Sequence, residues 1–211
     1  MKDEMLHKRQ SELQILYLRN MTKIKWRYNA ITDIMTRKRT TTYQTTNIEF
    51  CVLQFRKILE LIALSSLISD ADVYRVQLGK IEKMWNARNI LRDIERIHPH
   101  FYPQPINVLK HENSDNEFVK KTTPYLTKDK FENIYARCGK YLHELSPFKS
   151  EAEIEHAYKE IMHEFPKWSY LIVELLSTHI VHLYDSRFMF YISMGAKNDP
   201  PRGNIFQMLD E

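Results

Sequence analysis

Glycine is scarce in this chain, only 4 of 211 residues. A sheet-rich fold with many tight turns needs residues that tolerate left-handed backbone, so the shortage points to long helices. Cysteine is scarcer. Cys51 and Cys138 form neither a spaced metal motif nor a disulfide framework, which suggests a reduced, intracellular protein. No apolar run approaches the roughly 18 residues of a membrane span. The opening residues, MKDEMLHKRQ, lack the apolar core of a signal peptide. A cytoplasmic protein without membrane contact is expected. There is no Gly-rich phosphate loop, no Gly-X-Ser-X-Gly elbow and no Cys-X2-Cys pair. His98 and His100, and likewise His179 and His182, have no Cys or acidic cluster to complete a metal site. Neither a metal nor a cofactor is expected.

The chain is 43% hydrophobic and 27% charged, with a net charge of +4. Residues 1–47 hold ten Lys/Arg against four Asp/Glu, so the basicity is N-terminal. Such an arm suits nucleic acid or an acidic partner; a solvated helix face is the simpler reading. Residues 3–35 read as one helix with a stripe of Leu6, Leu13, Leu16, Ile24, Tyr28 and Ile31. The Thr-rich stretch 36–47 reads as a linker. Residues 48–69 are the strongest helix. Phe50, Leu53, Ile58, Leu61, Ile62 and Leu64 form a wide apolar face that suits the centre of a bundle. Arg56 and Glu60 stand one turn apart on it, as an ordinary ion pair.

A helix is predicted over 74–97, with Val76, Ile81, Trp85, Ile90 and Ile94 inward. The prolines of 98–105 end it in a structured loop. Residues 107–122 read as polar and mobile. Thr127 is a plausible cap for a helix running to about Glu144, which Pro147 stops. Ser150 with Glu153 forms a capping box for a helix over 150–165, and a short helix follows Pro166. THIVHLYD, SRFMFYISMG and NIFQML, separated by turns at Asp185-Ser186 and KNDPPRG, read as a three-stranded antiparallel meander docked on the bundle. His179 and His182 then fall on opposite strand faces. The expected segments are 1–46, a basic helix with its linker; 47–165, a helical bundle; and 166–211, a short helix with the meander. The fold class is mainly α.

The stretch Arg137-Cys138-Gly139-Lys140-Tyr141-Leu142-His143 carries the chemistry. An arginine can stabilise charge on a phosphodiester, and a nearby histidine can move a proton, with no metal required. The Arg-X5-His spacing of Arg137 and His143, with the FRKILELIAL pattern of residues 55–64 on an earlier helix, resembles a HEPN domain over roughly residues 47–165. That resemblance implies a compact bundle of about four helices. It implies a metal-independent endoribonuclease, a toxin or defence effector, with Arg137 and His143 catalytic. Lys140 and Tyr141 would line the substrate cleft, although Lys140 reads equally as a surface lysine and Tyr141 as core. The implied partners are an RNA substrate, a second copy in a homodimer, and an antitoxin or effector protein. Other members of the superfamily are non-catalytic binding or dimerisation modules. Cys138, where active members often carry a polar residue, favours that alternative; the intact Arg137 and His143 favour catalysis. Residues six apart do not share a helix face. The two would meet through an irregular helix near Gly139, or through two copies.

Overall fold

The computed structural model describes residues 2–71, 86–109, 117–144, 146–185 and 187–207. These form α1 (Lys2–Met35), α2 (Gln44–Ser69), α3 (Ala87–Ile97), β1 (Gln104–Leu109), β2 (Glu117–Lys120), α4 (Lys128–Tyr141), α5 (Glu151–Leu176), β3 (Thr178–His182), β4 (Phe188–Ser193) and β5 (Arg202–Gln207). The chain is mainly helical with a small antiparallel sheet. One cluster of buried side chains runs from Leu13 to Ile192.

α1 buries Leu13, Tyr17, Met21, Ile24 and Ile31, a stripe at helical spacing. Tyr17 takes the inward place expected of Leu16, which is exposed. α2 is apolar nearly all round, with Cys51, Val52, Phe55, Ile58, Leu59, Ile62 and Ala63 buried. Of its expected face, Leu53 is partly exposed instead. α2 also starts at Gln44, inside the expected linker. Asn47 is the reason, since its side-chain oxygen accepts from the Thr41 backbone N–H at 2.7 Å and closes the turn onto the helix start.

Of the helix expected over 74–97, Ala87–Ile97 is seen, with Ile90 and Ile94 buried; Val76, Ile81 and Trp85 lie outside the described residues. α4 is capped by Thr127, whose hydroxyl accepts from the Lys130 N–H, and it ends at Tyr141 rather than Glu144. The Ser150–Glu153 capping box opens α5. Pro166 does not break α5, which continues to Leu176. Its ring is on the exposed face, so the carbonyl it leaves unbonded one turn back can turn to water.

The meander β3-β4-β5 forms, but within a five-stranded antiparallel sheet of order β2-β1-β3-β4-β5. The two further strands come from 104–109 and 117–120, expected to be loop and mobile chain. Gln104 and Pro105 pair with Ile180 and His179, and the rest of β1 pairs with β2. Phe118 of β2 stacks on Tyr191 of β4 at 5.2 Å. In a flat sheet two intervening strands would hold these about 14 Å apart, so the β1–β2 hairpin curls over the outer face of the sheet. The inner face, with Val181, Phe188, Phe190 and Ile192, packs on the helices.

Two buried polar pairs fasten these layers. Tyr17 of α1 and His179 of β3 meet at 3.0 Å. The His179 Nδ1 donates to the Leu176 carbonyl at 2.9 Å, so its Nε2 accepts from the tyrosine hydroxyl. Burial pushes the His179 imidazole down to about 4, with the Leu176 bond opposing and Lys121 assisting. At the C-terminal end of α2, Asp70 is fully buried and its Oδ1 lies 2.6 Å from His98 Nδ1, just after α3. Burial raises the Asp70 carboxyl to about 7, against the opposing Ser69 hydrogen bond.

The α1–α2 turn carries strain. The Arg37 N–H donates to the Ile34 carbonyl and the Lys38 N–H to that of Asp33, a helix ending that places Arg37 at φ 57°. Glycine usually occupies that position. Arg37→Gly is therefore expected to raise stability by about 1 kcal/mol in urea unfolding, because it removes the left-handed penalty on a side chain. His179 gives a pH signature. Its lowered folded value makes its contribution complete above pH 6.5 and lost as the pH falls through about 4, while Asp70 works in the opposite sense. Comparison with His179→Gln isolates it. Wild type is expected to lose about 3 kcal/mol relative to the variant between pH 7 and 4.

Candidate functional site

α4 turns Phe131, Ile134, Tyr135, Cys138 and Tyr141 inward, which fixes what its remaining positions face. Arg137 lies on the flank toward α5. Its guanidinium pairs with Glu164 at 3.3 Å and Glu160 at 3.7 Å, and sits 5.7 Å from the Trp168 ring. Lys140 is exposed, with its ammonium 5.8 Å from the Tyr141 ring. Tyr141 is buried, and its hydroxyl donates to the Ala157 carbonyl at 3.1 Å. Burial raises the phenol, Glu160 adds to this and Arg137 opposes it.

His143 comes after the helix has ended. The Leu142 N–H turns back to the Gly139 carbonyl at 3.4 Å, a tightened last turn that takes His143 out of helical register. The imidazole is exposed and, among the described residues, has no hydrogen-bond or ion-pair partner. It borders an open cleft of about 370 Å³ between the end of α4 and the start of α2, where Thr46, Glu49, Phe50 and Tyr141 also stand. The structure thus brings Tyr141 and His143 to one cleft. No hydrogen bond, ion pair or ring contact joins Arg137 to His143 within the chain: one faces α5 and the other α2.

A second guanidinium lies on the α2 side. The Arg56–Glu60 pair forms at 3.3 Å, and Arg56 also donates to the Tyr135 hydroxyl at 2.9 Å. Gly139 leaves room for it, since a Cβ there would lie 3.2 Å from Arg56 Nη1. Arg56 and Arg137 both bear on the Cys138 thiol, yet burial outweighs them and pushes it up to about 12. Cys138 is therefore packing and not a nucleophile. Spacing flagged Arg56 and Glu60. Glu160 and Glu164 stand one turn apart on α5 and were legible as a pair, but their partner was not.

His98 and His100 stand in the structured loop expected of them, with His98 held by Asp70. His179 is buried and His182 half-buried on the opposite strand face. Among the described residues no group of three His, Cys, Asp or Glu is arranged to hold a metal ion. No helix among them is long and apolar enough to cross a membrane.

No protein-family model, curated protein or solved structure matches this chain.

Both thiols are buried and raised to about 12. A disulfide reagent such as Ellman's is expected to titrate neither Cys51 nor Cys138 at pH 8 in the folded protein, and both after unfolding.

Proposed function

We propose that this chain is a HEPN-like endoribonuclease that cuts RNA without metal, using Arg137 and His143, and that it works as a homodimer in the manner of a toxin or defence effector. The observation that carries the reading is the end of α4 at Tyr141, which leaves His143 exposed beside an open cleft, with no hydrogen-bond or ion-pair partner among the described residues. A general base must be free to approach its substrate, and His143 is. Arg137 and His143 face different neighbours, so the reading requires two copies, each supplying one of them to a shared site.

In that site Arg137 binds the scissile phosphate and offsets its growing charge. His143 takes the proton from the ribose 2′-OH. The 2′ oxygen attacks phosphorus, the bond from phosphorus to the 5′ oxygen breaks, and that oxygen leaves with a proton taken from water. The products are a 2′,3′-cyclic phosphate and a 5′-OH. The need for a 2′-OH confines the reaction to RNA. Tyr141 lines the cleft, and Lys140 beside it in sequence adds an exposed cation.

The second reading is a non-catalytic HEPN-like module that dimerises or binds a partner protein, such as an antitoxin. Arg137 favours it, because Glu160 and Glu164 already neutralise the guanidinium that a phosphate would need. RNA cleavage in EDTA separates the two. Wild type is expected to leave cyclic-phosphate ends, and Arg137→Ala and His143→Ala to lose about 100-fold or more in rate. Folded, dimeric protein that cuts nothing would favour the binding module, and His143→Ala cutting like wild type would remove His143 from the reaction.

A further inference from the structure

We propose that single-stranded RNA binds in the cleft over the α1–α2 turn, with Arg37 and Arg39 holding its phosphates, and that this cleft leads it past Thr41 to His143. What happens at His143 rests on the ribonuclease reading; the binding does not.

The turn was expected to be a linker, yet it walls a cleft of about 550 Å³ whose floor includes Met162 and Phe165 of α5. Arg37 is exposed and has no ion-pair partner among the described residues. Arg39 is 81% exposed, and its ion-pair partner among the described residues is Asp33 at 3.6 Å. Thr41 lines both this cleft and the one that His143 borders. Its hydroxyl also meets that of Thr46, which belongs to the His143 side. The two clefts therefore adjoin at Thr41.

The electrostatics favour an anion. The first turn of α2 holds no acidic residue, and Tyr43 supplies no side-chain cap, so the positive end of a 26-residue helix adds to the two guanidiniums. The carboxylates in reach are already engaged or lie beyond Thr41. Asp33 is shared between Arg39 and, at 3.9 Å, Lys197. Glu49 accepts from the Tyr158 hydroxyl at 2.6 Å, and Glu144 stands past His143. Arginine forks match phosphate oxygens. Tyr43, 68% exposed at the rim, offers a ring on which a base can stack. An acidic protein segment would use the arginines but not the ring and the apolar floor. This combination selects a single-stranded nucleic acid.

The strain at Arg37 supports the same conclusion. A side chain with no ion-pair partner among the described residues stands where glycine would relieve the backbone. A ligand that needs its guanidinium accounts for it.

The test is fluorescence anisotropy with a labelled 12-nucleotide 2′-O-methyl RNA, which cannot be cut. Arg37→Ala/Arg39→Ala is expected to weaken binding at least tenfold, and to flatten the slope of log affinity against log salt by about 1.4, the value for two lost phosphate contacts. Arg37→Gly is expected to bind more weakly while resisting more urea than wild type, which separates lost contact from lost fold. Lys8→Ala, about 40 Å away along α1, is expected to bind within twofold of wild type. Wild type that fails to bind, a double variant that binds like wild type, or poly-glutamate competing as well as RNA overturns the proposal. Cleavage with an unchanged KM in the double variant sinks the cleft and leaves the ribonuclease reading intact. Arginine-dependent binding without cleavage does the reverse.

Discussion

The burial of α2 on nearly every side is the constraint around which the molecule is arranged. A helix with Val52, Phe55, Ile58, Leu59 and Ile62 all buried has no solvent face wide enough to stand alone. α1, α3, α4 and α5 must surround it, and the sheet closes what they leave open. Phe55 shows the consequence, with Phe165 at 5.2 Å and Trp168 at 5.3 Å from α5. Once α2 is central, its first turn lies beside the end of α4. The α1–α2 turn then stands next to His143. The position of the candidate site follows from core packing and not from attraction among its polar groups.

Electrostatics divides the two flanks of α4. Toward α5, Arg137 is neutralised by Glu160 and Glu164; toward α2, Arg56 is held by Glu60 and Tyr135. Both guanidiniums pair with carboxylates in the resting chain. At the end of α1 and the turn after it, Arg37 has no ion-pair partner among the described residues, and the 81% exposed Arg39 has Asp33 at 3.6 Å. In the proposed function, acquiring RNA and acting on it would fall to different side chains. On that reading the exposed turn arginines would meet the polyanion first, whereas Arg137 would have to exchange Glu160 and Glu164 for phosphate at close range. A modest rate from Arg137 would be consistent with that exchange.

Much of the helical frame was legible in the sequence because its signals are local. The stripe through Leu13, Ile24 and Ile31, the Thr127 cap and the Ser150–Glu153 box each depend on residues within a few turns. The errors have nonlocal causes. Pro166 is tolerated because its ring meets solvent, which depends on how α5 is rotated in the bundle. β1 and β2 carry few strand signals of their own; pairing with β3 and the stack of Phe118 on Tyr191 define them. His143 and Tyr141 were visible as residue types in a motif. That Arg137 would turn toward α5 while His143 turned toward α2 depended on where α4 ends. The turn at 37–43 was passed over because threonines and arginines between helices read as a connection, and nothing local says that it walls a cleft.

The most direct measurement is an NMR titration of the 15N-labelled protein with the uncleavable 2′-O-methyl RNA, following backbone amides and the His143 ring. The account predicts that the shifted resonances run continuously from Arg37 through Thr41 and Tyr43 to His143, leaving the outer face of the sheet unmoved. Shifts confined to the sheet or to the first turns of α1, with His143 unchanged at saturation, would contradict it.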